Sequence, residues 1–255
     1  MVMNEMPPIV VIPHDDAVDI SWIARILEDR IPVTWVRAYR GDPFPEPNEL
    51  SGVISMGGPQ HIWASDRGDY LDAEAEFLIL ALGAARPVLG ICLGSQLLAN
   101  ALGGTALPGA DGPECGPIWV EVDSVSSDPV LAGQSGTYMS VHEDSFTLPP
   151  GAELVAWSDR YPQAYRMGKA LGIQFHPEMS LTGIALFANN FAERMRQGGT
   201  EPATMMEWAE RTEASSYLRA EVLLERWIRH DVMAADHYDS EAEVKPFPGM
   251  DARDS

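Results

Sequence analysis

The chain is poor in cysteine, in basic residues and in long apolar runs, and each shortage removes a class of function. Two cysteines in 255 residues, Cys92 and Cys115, make no disulfide framework and fit a reducing, cytoplasmic setting. Seventeen Lys and Arg stand against 38 Asp and Glu, a formal charge of -21, which repels phosphate backbones and anionic lipid headgroups. Nucleic acid and membranes are therefore not expected partners. No run reaches the roughly 18 apolar residues that a membrane span needs. The start, MVMNEMPPIVVIPHDD, lacks the basic region and small-residue cleavage site of a signal peptide. A phosphate-cradling GxxxxGK[ST] loop is also absent, as is an SGGxDS-like loop.

What is present is enough apolar residue, 45%, to bury one principal core, and a regular alternation of element types. PIVVIP (8–13) reads as a buried strand, the spacing of Ile20, Ile23, Ala24 and Leu27 as a helix, and VTWVR (33–37) as a second strand. After a proline-rich loop, GVISMGG (52–58) is a third. A helix with Leu71, Ala75, Leu78, Ile79 and Leu82 on one face, the strand PVLGI (87–91) and a helix over 93–102 complete the series. Such a series predicts an α/β fold, a doubly wound parallel sheet with helices on both faces. From residue 116 the strands shorten and turn signals multiply (PIWVEVD, GTYMSVH, AELVAWS, QAYRMG, ALGIQFH), which predicts an antiparallel extension of the same sheet. A helix within 181–196 closes this first domain, expected over residues 1–197. A helical extension over 198–238 and a loose polar tail over 239–255 follow. The extension carries Met205, Met206, Trp208, Leu218, Leu223, Leu224 and Trp227, which either pack on the chain's own core or dock a partner.

Chemistry concentrates at three places. In GICLG (90–94) a cysteine follows a buried strand and precedes a helix. That is the pattern of a nucleophile elbow, in which the nucleophile projects over the end of the sheet and the helix N-terminus favours an anion. The pentapeptide alone reads equally well as a small buried core residue. A nucleophile requires a base, and the base an orienting group. His176 ends an apolar strand two residues before Glu178, with Pro177 fixing the turn, so its ring can meet that carboxylate. His142, in SVHEDSF, competes for the role, but Glu143 and Asp144 are poorly placed to turn back on it. His14, His61, His230 and His237 read as structural or exposed. Finally, the glycines of SMGGPQ (55–60) let backbone approach a ligand, so that the Gly58 and Leu93 amides would form an oxyanion hole, although by itself the motif also reads as an ordinary strand-to-loop turn.

Taken together, GICLGSQLLANALGG, GVISMGGPQ, SVHEDSFTLP and QAYRMGKALGIQFHPE resemble class I glutamine amidotransferases, in order, over about residues 50–180. They are most similar to the stand-alone branch related to the amidotransferase domain of GMP synthase. The resemblance implies a flavodoxin-like fold, Cys92 as nucleophile, His176 as base and Glu178 as its partner. It implies oxyanion donors at Gly58 and Leu93, and substrate contacts at Gln96, Gly57 and His142. It further implies L-glutamine or a γ-glutamyl compound as substrate, a γ-glutamyl thioester intermediate, and no cofactor or metal. The chain departs from the pattern at SVHEDSF, where the GMP synthase domain reads closer to SHGD, and at ECGPIW (114–119). Both border the expected pocket. Ammonia would pass to a separate synthetase subunit. Alternatively the chain is a free-standing γ-glutamyl hydrolase, or a regulatory subunit without turnover.

Overall fold

The computed structural model describes residues 6–234 apart from positions 29, 66 and 127. The tail expected over 239–255 lies outside the described residues. Eleven strands and six α-helices follow one another in the order foreseen for the first hundred residues: β1 (Ile9–Ile12), α1 (Ser21–Glu28), β2 (Val33–Trp35), β3 (Gly52–Ser55), α2 (Tyr70–Gly83), β4 (Val88–Ile91) and α3 (Leu93–Ala101). Then come β5 (Thr105–Pro108), β6 (Glu114–Val122), β7 (Gly136–His142), β8 (Asp144–Thr147), β9 (Glu153–Trp157), β10 (Pro162–Met167) and β11 (Ala170–Ile173). Helices α4 (Leu181–Asn190), α5 (Ala192–Gln197) and α6 (Pro202–Trp227) close the described part of the chain, α6 running into a π-helical turn over Ile228–Val232.

Nine strands form one sheet in the order β2-β1-β3-β4-β11-β10-β9-β6-β7. The pairings from β2 through β11 are parallel and those from β11 to β7 antiparallel. Successive side chains of a strand point to opposite faces, and each parallel strand divides its apolar residues accordingly. Ile9 and Val11 of β1 join α1 and α6 in one core, while Val10 and Ile12 join α2 and α3 in the other. Helices thus cover both faces of the parallel strands. No helix of the described residues is long and apolar enough to cross a membrane.

Three local departures have physical causes. The short strands β5 and β8 pair with each other outside the main sheet, where the sequence shows only four residues of weak alternation. The helix expected within 181–196 breaks at Phe191, whose φ of -127° is not helical. The buried face of α2 runs through Leu71, Glu74, Phe77, Leu78, Ala81 and Leu82. It is rotated from the predicted stripe, because Glu74 faces inward and Ala75 and Ile79 are only half-buried.

Helix α6 packs against the chain's own core. Ala220, Leu223, Leu224 and Trp227 are buried among strand and α1 residues, and Met205 and Ala209 in a second cluster with α4. Leu218 remains exposed. The junction is tied by charge: Arg166 reaches Asp128 at 2.7 Å and Asp231 at 2.9 Å.

Candidate active site

Cys92 stands between β4 and α3 with φ of +52° and ψ of -107°. A positive φ is strained for a residue with a side chain, and strain of this kind collects at functional sites. The flanking glycines serve close packing, whereas the strain falls on the cysteine itself. A Cβ on Gly94 would lie 2.1 Å from the Ser55 carbonyl oxygen, and one on Gly90 would lie 2.6 Å from that of Gly94. Helix α3 can therefore rest directly on β3, where the Gly94 N–H donates to the Met56 carbonyl at 3.0 Å. The Cys92 N–H donates to Ile173 of β11 at 2.8 Å, so the turn is pinned from both neighbouring strands.

His176 follows β11 and is fixed to β7 by its N–H, which donates to the Met139 carbonyl at 2.8 Å. Its Nδ1 donates to Glu178 Oε1 at 2.8 Å, the pairing anticipated from FHPE. Its Nε2 is buried without a hydrogen-bond partner among the described residues, and Cys92 lies beside it. Burial lowers the imidazole pKa, but the Glu178 charge and contacts to Cys92 and Glu178 outweigh it, and the pKa rises well above the ordinary histidine value. A Cβ on Gly57 would sit 3.0 Å from His176 Cε1 and 3.6 Å from Cys92 Cβ, so only glycine leaves this space clear. Gly58 and Leu93 line a cavity that also reaches Cys92, and neither amide has an acceptor among the described residues.

Two cavities meet at Cys92. The larger, about 150 Å³, opens on the His176 side and is walled by Val18, Met179, Leu186, Phe187 and Phe191, with Asp15, Asp19 and Arg194 among its polar residues. The smaller, about 40 Å³, lies on the other side, among Leu93, Gln96, His61, His142, Glu143 and Asp144. Gln96 is buried there, its Nε2 donating to the Asp144 carbonyl at 3.0 Å and to Gln174 Oε1 at 3.1 Å. His142 sits between the Asp144 carbonyl at 2.9 Å and Glu114 Oε2 at 3.1 Å. Its carboxylate partner thus lies 28 residues away, while Glu143 pairs with Arg194 and Asp144 with His61.

Residues 14–193 match the family described as glutamine amidotransferase class-I. The chain belongs to that family. As an amidotransferase it is 37% identical over 176 residues to the glutamine-hydrolyzing GMP synthase of Nostoc sp., covering 66% of this chain and 31% of that one. With the GMP synthase of Aeropyrum pernix it shares 37% identity over 161 residues, covering 62% of this chain and 29% of that one. The chain thus spans about a third of the curated relatives it matches. A solved glutamine amidotransferase from Thermotoga maritima superposes with a TM-score of 0.78 at 28% identity, over 87% of this chain and 97% of that one. One from Methylobacillus flagellatus gives 0.78 at 25%, over 88% and 95%.

The amidotransferase holds one charged group that sequence reasoning had set aside. His14, just beyond β1, is fully buried and contacts Glu74, also fully buried, at 2.9 Å through Nε2. Its Nδ1 lies 3.2 Å from the Gly57 carbonyl. Both neighbours accept, so both ring nitrogens must donate. Burial lowers its pKa, yet the charge and hydrogen bond of Glu74, with the Gly57 and Met56 carbonyls, raise it on balance. The signal in the sequence was Glu74 itself, an acid three residues from Leu71 and four from Leu78 on an apolar helix face.

Proposed function

We propose that the chain hydrolyses the γ-carboxamide of L-glutamine through a thioester on Cys92 and supplies the ammonia to a separate synthetase partner. The observation that carries this is the buried Nε2 of His176, without a partner among the described residues, beside a thiol on a strained turn, with Gly58 and Leu93 lining a cavity that reaches the same thiol. A nucleophile, a base with its orienting carboxylate, and an oxyanion pocket then converge on one point. His176 takes the Cys92 proton as Sγ bonds to the amide carbon, and the carbonyl electron pair moves onto an oxygen held by Gly58 and Leu93. When the C–O double bond re-forms, the C–N bond breaks and His176 returns the proton to the departing nitrogen. Ammonia leaves a γ-glutamyl thioester. Water then gives a proton to His176 and its oxygen to the carbonyl carbon, the C–S bond breaks, and the sulfur recovers the proton. Gln96, His142 and the smaller cavity hold the glutamyl end, and Gly57 keeps the space between His176 and Cys92 open.

A second reading has its own support. The nitrogen leaves toward the His176 side, where the cavity of about 150 Å³ has apolar walls. Ammonia needs no such room, whereas a volume of this size accepts a benzene-sized group. A γ-glutamyl amide of an apolar amine would fill it. Glutamate release is measured from glutamine and from γ-glutamyl amides and peptides, with Cys92→Ala as control. Cys92-dependent release from glutamine, alone or after addition of a synthetase, supports the first reading, and release only from substituted amides replaces it with the second. If neither class is hydrolysed and a glutamine-like electrophile leaves Cys92 unlabelled with every partner tried, the chain is a regulatory subunit.

A further inference from the structure

The oxyanion amide has a charged group behind it. Gly57 C=O and Gly58 N–H are the two ends of one peptide unit. The carbonyl end receives a hydrogen bond from His14 Nδ1 at 3.2 Å, and the amide end belongs to Gly58, which lines the smaller cavity with Cys92 and has no acceptor for its N–H among the described residues. His14 is held in turn by both oxygens of Glu74, at 2.9 and 3.1 Å, and Glu74 accepts the Ser55 hydroxyl at 2.7 Å. Every member of this chain is buried: His14, Glu74 and Ser55 each show no exposure. The backbone is equally constrained. A Cβ on Gly58 would lie 2.6 Å from His14 Cβ, and Gln60 Nε2 donates to the His14 carbonyl at 3.0 Å. Tyr70, from the first turn of α2, packs its ring 6.3 Å from the imidazole.

We infer that His14, fixed by Glu74, is a positioning residue that polarises the Gly57–Gly58 peptide and strengthens its N–H as an oxyanion donor. The inference rests on the proposed thioester chemistry and adds a residue to it. The physical basis is the cooperativity of hydrogen bonds through an amide: a cationic donor on the carbonyl oxygen draws electron density from nitrogen, and the N–H becomes a better donor. In a buried site the effect is undiluted by water. It grows as negative charge develops on the substrate oxygen, so it lowers the barrier more than it tightens the ground state. A buried ion pair costs desolvation and is weak evidence for stability; this one spends that cost where a charge must be stabilised during turnover.

The test uses His14→Asn, whose amide nitrogen replaces Nδ1 with a neutral donor, and Glu74→Gln, which keeps the volume and removes the anion. Because deleting an oxyanion donor costs roughly 10²–10³ in kcat, weakening one is expected to lower kcat about tenfold while KM stays within about twofold. Alkylation of Cys92 by iodoacetamide, a displacement with no oxyanion, should hold its wild-type rate. The Gly58 amide proton, read by NMR of labelled protein, should lie downfield in the wild type and move upfield in both variants. An unchanged kcat with an unmoved Gly58 resonance overturns the inference. So does a parallel loss of kcat and alkylation in both variants, which would make the pair purely structural. If the wild type hydrolyses neither glutamine nor any γ-glutamyl amide, the thioester reading fails, and the Gly58 resonance still decides whether His14 polarises this peptide.

Discussion

Beside Cys92 stands His176 with Glu178 at 2.8 Å; behind the Gly57–Gly58 peptide stands His14 with Glu74 at 2.9 Å. Both pairs are buried, and in both the carboxylate raises the imidazole pKa against the opposing pull of burial. Their difference is at the second ring nitrogen. In His14 it is occupied by a backbone carbonyl, whereas in His176 it is buried beside Cys92 without a hydrogen-bond partner among the described residues. A proton can be exchanged only through the free one. In the proposed chemistry the same two side-chain types therefore serve as a base in one pair and as a fixed charge in the other. His142 and Glu114 make a third pair of the fixed kind, with the Asp144 carbonyl on the second nitrogen.

The comparison breaks most sharply if the free nitrogen does not matter. Cys92→Ala should abolish glutamate release, and His176→Ala should lower kcat by about 10²–10⁴, the usual contribution of a general base. Glu178→Gln should cost about 10² in kcat/KM. Since the Glu178 charge raises the His176 pKa, its removal should move the imidazole inflection of the pH–rate profile downward. A profile that does not move would place the essential base elsewhere.

The fixed pair, besides its effect on kcat, should register in stability. Glu74→Ala leaves a buried imidazole without its counter-charge, and a loss of about 3–5 kcal/mol is expected in urea unfolding. The pH dependence has a definite sign. A histidine whose pKa is raised by folding stabilises fully below its unfolded value of about 6.5, and that stability is lost as pH rises through the raised native value. His176 contributes a slope of the same sign, so the His14 share is the part that disappears in Glu74→Ala. Outside both pairs the effects should be small. Burial pushes the Cys115 thiol up to about 11, leaving about a thousandth of it as thiolate at pH 8. Brief iodoacetamide treatment should therefore add one group per chain, on Cys92, by mass spectrometry. Leu218→Lys, on the exposed side of α6, should change the unfolding free energy by no more than about 0.5 kcal/mol.

Much of this arrangement was legible in the residues. The parallel strands announced themselves because both their faces are buried, giving continuous runs such as IVVI and VLGI. His176 and Glu178 were readable because they lie two residues apart at a strand end. The fixed pairs were not, since His14 and Glu74 are 60 residues apart and His142 and Glu114 are 28 apart; nothing local joins them. Glu74 was the one local irregularity, a charge on the buried face of α2. The reason for GICLG was also only half visible. Its glycines suggest a tight turn, whereas the contact that requires Gly94 is with Ser55, on a different strand.

Helix α6 lies beyond residue 193, where the family match stops. Yet Trp227 is wholly buried, and its ring would come within 3.2 Å of a Cβ placed on Gly52. Gly52 opens β3, and the other end of β3 leads straight into Gly57 and Gly58. Trimming the chain at the edge of the match would strip the apolar cover from the strand that leads to the proposed oxyanion amide. The boundary that homology draws is a limit of resemblance; the packed core runs on at least to Val232.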